Sequence, residues 1–206
     1  MGFYADQVVP RILWAACGAK TARPLRRRVC RGLVGEVVEI GFGAGHNVPF
    51  YPPGVTAVAA VEPSDVAWRL AGERVRDARV PVRRAGLDGQ SLPFEDAGFD
   101  SALSTWTLCT IPDAVAALRE LRRVLKPGAT LHFLEHGLAP EEDRRVRRRQ
   151  RRLEPLNMKL LGGCHLTRSA PELLTAAGFT ITSLDVFYDV GPKFLCADSL
   201  GTAVSR

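Results

Sequence analysis

Glu36-Val-Val-Glu39-Ile-Gly41-Phe-Gly43-Ala-Gly45-His46-Asn47 reads as a short apolar strand that runs straight into a glycine-rich loop. A continuous apolar run of this length fits a strand covered on both faces, as in a parallel sheet. The glycines permit a tight turn and let backbone N–H groups approach a ligand at the carboxyl end of the sheet. Dinucleotide loops of the Rossmann type place their third glycine five positions after the first; here His46 stands there and the third glycine comes at four, as Gly45. That spacing argues against a nicotinamide or flavin pyrophosphate site.

Twenty-one residues beyond Gly41, the next apolar run, Val55 to Val61, ends at Glu62-Pro63. A carboxylate at that strand end can accept both hydroxyls of a ribose. Further strand-like runs follow at Val80 to Arg84, Phe99 to Thr105, Thr130 to Leu134 and Phe179 to Val186. Between them, Ser64 can cap a helix reaching about Ala78, and Asp113 can cap one whose Ala114, Ala117, Leu118, Leu121 and Leu125 share a face. The second of these stops at Lys126-Pro127-Gly128. Ser169-Ala-Pro-Glu172 reads as a capping box, and Gly178 as the residue that ends its helix. Strands alternating with helices give an α/β, doubly wound, mostly parallel sheet.

The 206 residues, 46% hydrophobic and 24% charged, suffice for one compact domain. The longest apolar run is strand-sized, which excludes a membrane-spanning helix, and no charged n-region precedes an apolar stretch, so export is not expected. Five scattered cysteines, odd in number and without a C-x-x-C pair, suggest a reducing, cytoplasmic setting and neither a disulfide framework nor a metal. The net charge of +6 comes from 24 arginines against 4 lysines, without the basic–aromatic interleaving of nucleic-acid binders, so nucleic acid is not an expected partner.

Loop and acid together resemble the class I S-adenosylmethionine-dependent methyltransferases, over about residues 36–206. Asp88-Gly-Gln-Ser-Leu-Pro-Phe94 matches that family's third segment, and Leu121 to Gly128 is similar to the turn before its fifth strand. Closer likeness falls on Asn47 to Pro52, Thr105-Trp-Thr-Leu-Cys109, Glu135-His136 and Gly163-Cys-His-Leu-Thr-Arg168. These segments look like the methyltransferase-like thiol S-methyltransferases; the broader core also resembles quinone-biosynthesis C-methyltransferases and bacterial phosphatidylethanolamine N-methyltransferases. The resemblance implies a seven-stranded sheet, S-adenosylmethionine as cofactor and S-adenosylhomocysteine as product. It also implies cofactor contacts at Glu39, Gly41, Gly43, Gly45, His46, Asn47, Glu62, Pro63, Asp88, Gly89 and Thr105, with Asp88 reading the adenine amine. The favoured acceptor is a small apolar thiol; quinone carbon, phospholipid amine and a non-catalytic cofactor-binding surface module are the alternatives.

A thiol reacts as thiolate, so a base beside it would help. His136, just past the fifth strand, and His165, in a glycine-rich loop, are the candidates, each with a purely structural alternative. His46 can contact the cofactor carboxylate or cap the next helix. Cys109 can line the site or be a small buried hydrophobe, and His132 is expected to be structural. Residues 1–35 form a separate helical segment in this reading, with Phe3, Tyr4, Val8, Ile12 and Leu13 as the face of a candidate lid that Pro10 shortens or kinks. Arg144 to Arg152 makes a basic helix face with a thin Val146/Leu153 stripe, a candidate contact for an anionic membrane surface or an acidic substrate, or simply a solvated face. The missing hydrophobic anchor of the animal thiol enzymes points to a soluble protein.

Overall fold

The computed structural model describes residues 3–205. Strands β1 (Gly35–Ile40), β2 (Val55–Val61), β3 (Val82–Gly86), β4 (Phe99–Thr105), β5 (Leu125–His136), β6 (Phe179–Tyr188) and β7 (Ala197–Ser205) form one sheet in the order β3-β2-β1-β4-β5-β7-β6. From β3 to β5 all neighbours run parallel, and β7 lies antiparallel to both β5 and β6. The chain builds outward from β1 to β3, then crosses back to lay β4 on the other side of β1. The carboxyl end of β1 is therefore a switch point, where open sheets bind ligands.

Helices α3 (Asp65–Arg76), α4 (Ala114–Val124), α5 (Arg144–Leu160) and α6 (Ala170–Ala176) cover the sheet, with α1 (Val9–Cys17) and α2 (Arg23–Cys30) before it. The three read caps are made: Ser64 Oγ accepts from the Ala67 N–H at 3.2 Å, Asp113 Oδ1 from Ala116 at 2.9 Å and Ser169 Oγ from Glu172 at 3.4 Å. Each contributes about 1 kcal/mol to its helix start. Val37, Val38, Ile40, Ala102, Leu118, Leu121 and Phe133 are fully buried, so the sheet is covered on both faces, as its apolar strands require.

Boundaries differ where chemistry local to the strand intervenes. β3 starts at Val82, not Val80, because Pro81 has no N–H for the ladder and offers only its carbonyl, to Val58 at 2.9 Å. β5 begins as soon as α4 ends, with a pairing irregularity between Phe99 and Ser101 that absorbs Lys126 to Gly128. β7 is made of small residues because it is squeezed between neighbours: a Cβ on Gly201 would lie 2.1 Å from the Ser183 carbonyl oxygen.

The N-terminal segment has one wide π turn, Tyr4–Val8, before α1, and Pro10 sits in the first turn of α1. Its inward face is not the one the spacing of Phe3, Tyr4 and Ile12 indicates, since those three are exposed; Val9 is buried, with Leu13 and Cys17 partly covered. One end of this segment reaches α5, where the Tyr4 hydroxyl donates to the Leu160 carbonyl at 2.9 Å. The other end rests on the glycine loop. In α5 the inward positions are polar rather than the Val146/Leu153 stripe: Gln150 and Asn157 are buried, while Arg144, Arg145, Arg148, Arg149, Arg151 and Arg152 are exposed. Among the described residues no helix is long and apolar enough to cross a membrane.

Candidate active site

The loop after β1 is shaped by what touches it. Gly41 has φ +63°, and a Cβ there would lie 2.0 Å from Thr107 Oγ1, so the loop backbone packs directly on the turn that follows β4. At Gly43, φ +57°, the nearest atom to an added Cβ is the Gly41 carbonyl oxygen at 3.8 Å, so this side of the turn is open. Glu62, at the end of β2, binds the loop: its Oε2 accepts the Gly43 N–H at 2.7 Å and its Oε1 the Ser64 N–H at 2.7 Å. Burial raises its pKa, and the two backbone donors and Arg84 pull the other way. Arg84 also fixes the following turn, donating to the carbonyl oxygens of Glu62 at 2.9 Å and Pro63 at 3.1 Å.

Beneath the loop lies a buried polar chain. Asn47 Nδ2 donates to Glu39 Oε1 and to Thr105 Oγ1, both at 3.0 Å, and the Tyr51 hydroxyl donates to Glu39 Oε2. Burial pushes the Glu39 carboxyl up to about 7, opposed by Tyr51, Asn47 and the Arg26 charge. Arg26 completes the chain: one guanidinium nitrogen donates to Asn47 Oδ1 at 2.7 Å, the other to the Cys17 carbonyl at 2.9 Å, and the plane lies 4.7 Å from the Trp106 ring. Arg26 is only 5% exposed, and its Nε has no hydrogen-bond partner. Trp106 itself is held at φ +50°, a conformation that costs about 1 kcal/mol or more and recurs at functional sites. Its indole N–H donates to Asp198 Oδ1 at 3.0 Å.

The ends of β4 and β5 carry the third part. The buried Glu135 carboxylate receives the Ser104 hydroxyl at 2.6 Å and the Thr107 and Leu108 N–H groups at 2.8 and 3.0 Å, and so fixes the turn that presents Cys109. Burial pushes this carboxyl up to about 7 against those donors. His136 Nε2 lies 2.9 Å from Cys164 Sγ. Burial disfavours the charged imidazole, but Cys164 and the acidic Asp198 and Glu135 outweigh it and raise the pKa. The loop bearing Cys164 is clamped to the β4 turn: the His165 N–H donates to the Cys109 carbonyl at 2.9 Å, and Arg168 donates to the carbonyls of Leu108, Ile111 and Pro112.

Residues 38–133 match the family described as Methyltransferase domain. In sequence the chain is similar to the S-adenosylmethionine-dependent methyltransferases. Among similar proteins, thiol S-methyltransferase TMT1B of Rattus norvegicus is 32% identical over 160 residues, covering 75% of this chain and 65% of that one. A demethylmenaquinone methyltransferase of Staphylococcus saprophyticus is 48% identical over 107 residues, 52% of this chain and 42% of the other. The chain thus spans less than two thirds of either relative's length. A solved Thermotoga maritima protein, described as a S-adenosylmethionine-dependent methyltransferase and possible histamine N-methyltransferase, covers 98% of both chains with a TM-score of 0.67 at 21% identity. That likeness concerns the fold.

The chain's own residues fit S-adenosylmethionine, the cofactor of that family. The orphaned Nε of a buried arginine, the open face at Gly43 and a strand-end carboxylate with lone pairs to spare match a carboxylate, a backbone-contacted chain and a ribose. The read residues divide accordingly. Gly41, Gly43, Gly45 and Glu62 form the loop and its brace, whereas Glu39, Asn47 and Thr105 lie under it and bond one another. His46 does not cap the turn of helix that follows it, which starts without a side-chain cap; its Nε2 lies 3.1 Å from the Trp14 carbonyl oxygen of α1. Asp88 is exposed, and its Oδ1 accepts from the Gln90 N–H at 2.8 Å in a tight turn that sets Gly89 beside Ile111. His165 points Nδ1 at Glu154, 2.8 Å away, and not at His136. His132 is buried with Nδ1 at the Val29 carbonyl, 2.9 Å away, as its structural reading expects. Spacing along the chain suggests no metal cluster, yet the fold brings Cys109, His136 and Cys164 together, their ligating atoms all within 4.8 Å of one another. Sequence reasoning missed Arg26, one of three consecutive arginines, and the bracing role of Glu135.

Proposed function

We propose that this methyltransferase moves the methyl group of S-adenosylmethionine onto the sulfur of a small, apolar thiol, leaving a thioether and S-adenosylhomocysteine. The observation that carries this reading is the His136–Cys164 contact: the end of β5, beside the β4 turn on which the glycine loop packs, already seats a sulfur against an imidazole at 2.9 Å. The similarity to a thiol S-methyltransferase over three quarters of the chain supports it. The cofactor supplies an electrophilic methyl on a sulfonium. In this reading Glu62 accepts the ribose hydroxyls, Arg26 pairs with the amino-acid carboxylate, Asp88 takes the adenine amine, and the Gly41–Gly45 backbone follows the chain between. The remaining task is to hold the acceptor in line at about 3 Å and to keep water out. The α1 segment, seated on His46 at one end and α5 at the other, is suited to the second.

Turnover of methyl-labelled S-adenosylmethionine with alkyl thiols, quinols and phosphatidylethanolamine vesicles tests this directly. Label in thioethers is the expected result. Label appearing only in a quinol, as the name of the staphylococcal relative would suggest, overturns the thiol assignment.

A further inference from the structure

The cluster of Cys109, His136 and Cys164 is gathered from two loops and a strand end at the carboxyl end of the sheet. Cys109 follows β4, His136 ends β5, and Cys164 lies beyond α5. Their ligating atoms fall within 4.8 Å of one another, and the Nε2–Sγ pair is at 2.9 Å. Two thiolates and an imidazole around a tetrahedral zinc, at bond lengths of roughly 2.0 to 2.3 Å, stand about 3.3 to 3.8 Å apart. Shifts of about 1 Å would therefore close the set. All three segments are ones whose sequence resembles thiol S-methyltransferases, although nothing in their local spacing suggests a shared site.

Each arm is braced from behind by a buried polar group. Glu135 accepts the Thr107 and Leu108 N–H groups and so sets the Cys109 turn. The buried Asn157 donates to the Cys164 carbonyl at 2.7 Å. The His165 N–H to Cys109 carbonyl bond, 2.9 Å, ties the two sulfur-bearing loops to each other. Outer support of this kind holds ligands in place in metal sites. Three protein ligands and one open position is the stoichiometry of a catalytic zinc, whereas a structural zinc is closed by four.

We propose that Cys109, His136 and Cys164 bind a zinc ion whose fourth position takes the acceptor sulfur. This rests on the thiol reading above. Binding of the metal releases the two cysteine protons to solvent, and binding of the acceptor releases its S–H proton. The resulting metal-held thiolate then forms a bond to the methyl carbon as the sulfonium S–CH3 bond breaks. The electron pair of that bond stays on the cofactor sulfur, and the neutral thioether, a weak ligand, departs.

The test uses the full chain, reduced and stripped with a chelator, titrated with Zn²⁺ against a chromophoric chelator and separately with Co²⁺ followed by absorption. One equivalent bound, thiolate-to-cobalt charge transfer, and loss of both in Cys109→Ser and in Cys164→Ser but not in Cys196→Ser are expected. Adding an alkyl thiol without S-adenosylmethionine should intensify the charge-transfer band. No stoichiometric binding, formation of a Cys109–Cys164 disulfide in place of metal binding, or a spectrum indifferent to the thiol would each overturn the proposal. Stripped protein that methylates thiols at the undiminished rate would also overturn it while leaving the thiol reading intact; metal-loaded protein that binds thiols but methylates only quinols would sink the thiol reading instead.

Discussion

The Glu62 carboxylate accepts the N–H of Gly43 at 2.7 Å, so the acid at the end of β2 holds the glycine loop of β1 in shape before any ligand arrives. Pairing an acid with the neighbouring loop makes one residue both a brace and a candidate ribose acceptor. Glu62→Gln puts an amide where two N–H groups converge and can accept at one atom only. Cofactor affinity measured by calorimetry should fall about 10- to 100-fold, the equivalent of losing one or two hydrogen bonds to a charged group. Unchanged affinity would place the ribose elsewhere.

Arg26 predicts a loss of a different kind. Arg26→Met keeps the stem but removes the guanidinium from Asn47, Cys17 and the Trp106 ring. The dissociation constant for S-adenosylmethionine should rise about 10- to 100-fold. An analogue without the carboxylate should bind the wild type and the variant alike; if it discriminates between them as strongly as the cofactor does, Arg26 acts only through the fold.

Gly41→Ala should lower stability by about 2 to 4 kcal/mol, because φ +63° is joined by a clash with Thr107 Oγ1 at 2.0 Å. In a chain of this length the melting temperature should drop by about 5 to 15 °C. Adding Thr107→Ala removes two of the three clashing atoms and should return part of the loss, a coupling readable in a double-mutant cycle.

His46 carries a pH prediction. Burial, then the Arg26 and Arg74 charges, depress its pKa to about 4. The folded state therefore binds fewer protons than the unfolded one between about pH 6.5 and 4, and the stability that a neutral His46 supplies is full above 6.5 and lost as pH falls through that window. An NMR titration of the imidazole should show a midpoint near 4, with amide protection in α1 declining over the same range. A midpoint near 6.5 would mean that α1 does not rest on the ring.

The parallel core was readable because β2 is nearly uniformly apolar and β1 and β4 each carry an apolar pair at their buried centre, Val37-Val38 and Ala102-Leu103. The capped starts of α3, α4 and α6 were equally plain, since a cap depends only on residues three apart. β3 slipped by two residues because the run Val80-Pro-Val-Arg-Arg84 shows its strand character before Pro81 permits a ladder. Small residues in β7 reflect crowding by Ser183 and Phe133, which no local pattern reveals. The site divides the same way. Gly41 to Gly45 and Glu62 announce themselves because their spacing is local or set by the short connection from β1 to its parallel neighbour β2. Cys109, His136 and Cys164 stand 27 and 28 residues apart, and only the β4–β5 pairing and the clamp through Arg168 bring them together. Arg26 was hidden in a basic run whose other members face solvent.

The guanidinium of Arg26 is shared between the last turn of α1, through the Cys17 carbonyl, and the glycine loop, through Asn47. Whatever fastens one of those partners changes how readily the other lets go, and the coupling must be equal in both directions. Cofactor should therefore slow proteolysis of the first seventeen residues, and amputating them should loosen cofactor by the same factor. The N-terminal helix is, on this account, a gauge of occupancy that the protein carries on its outside.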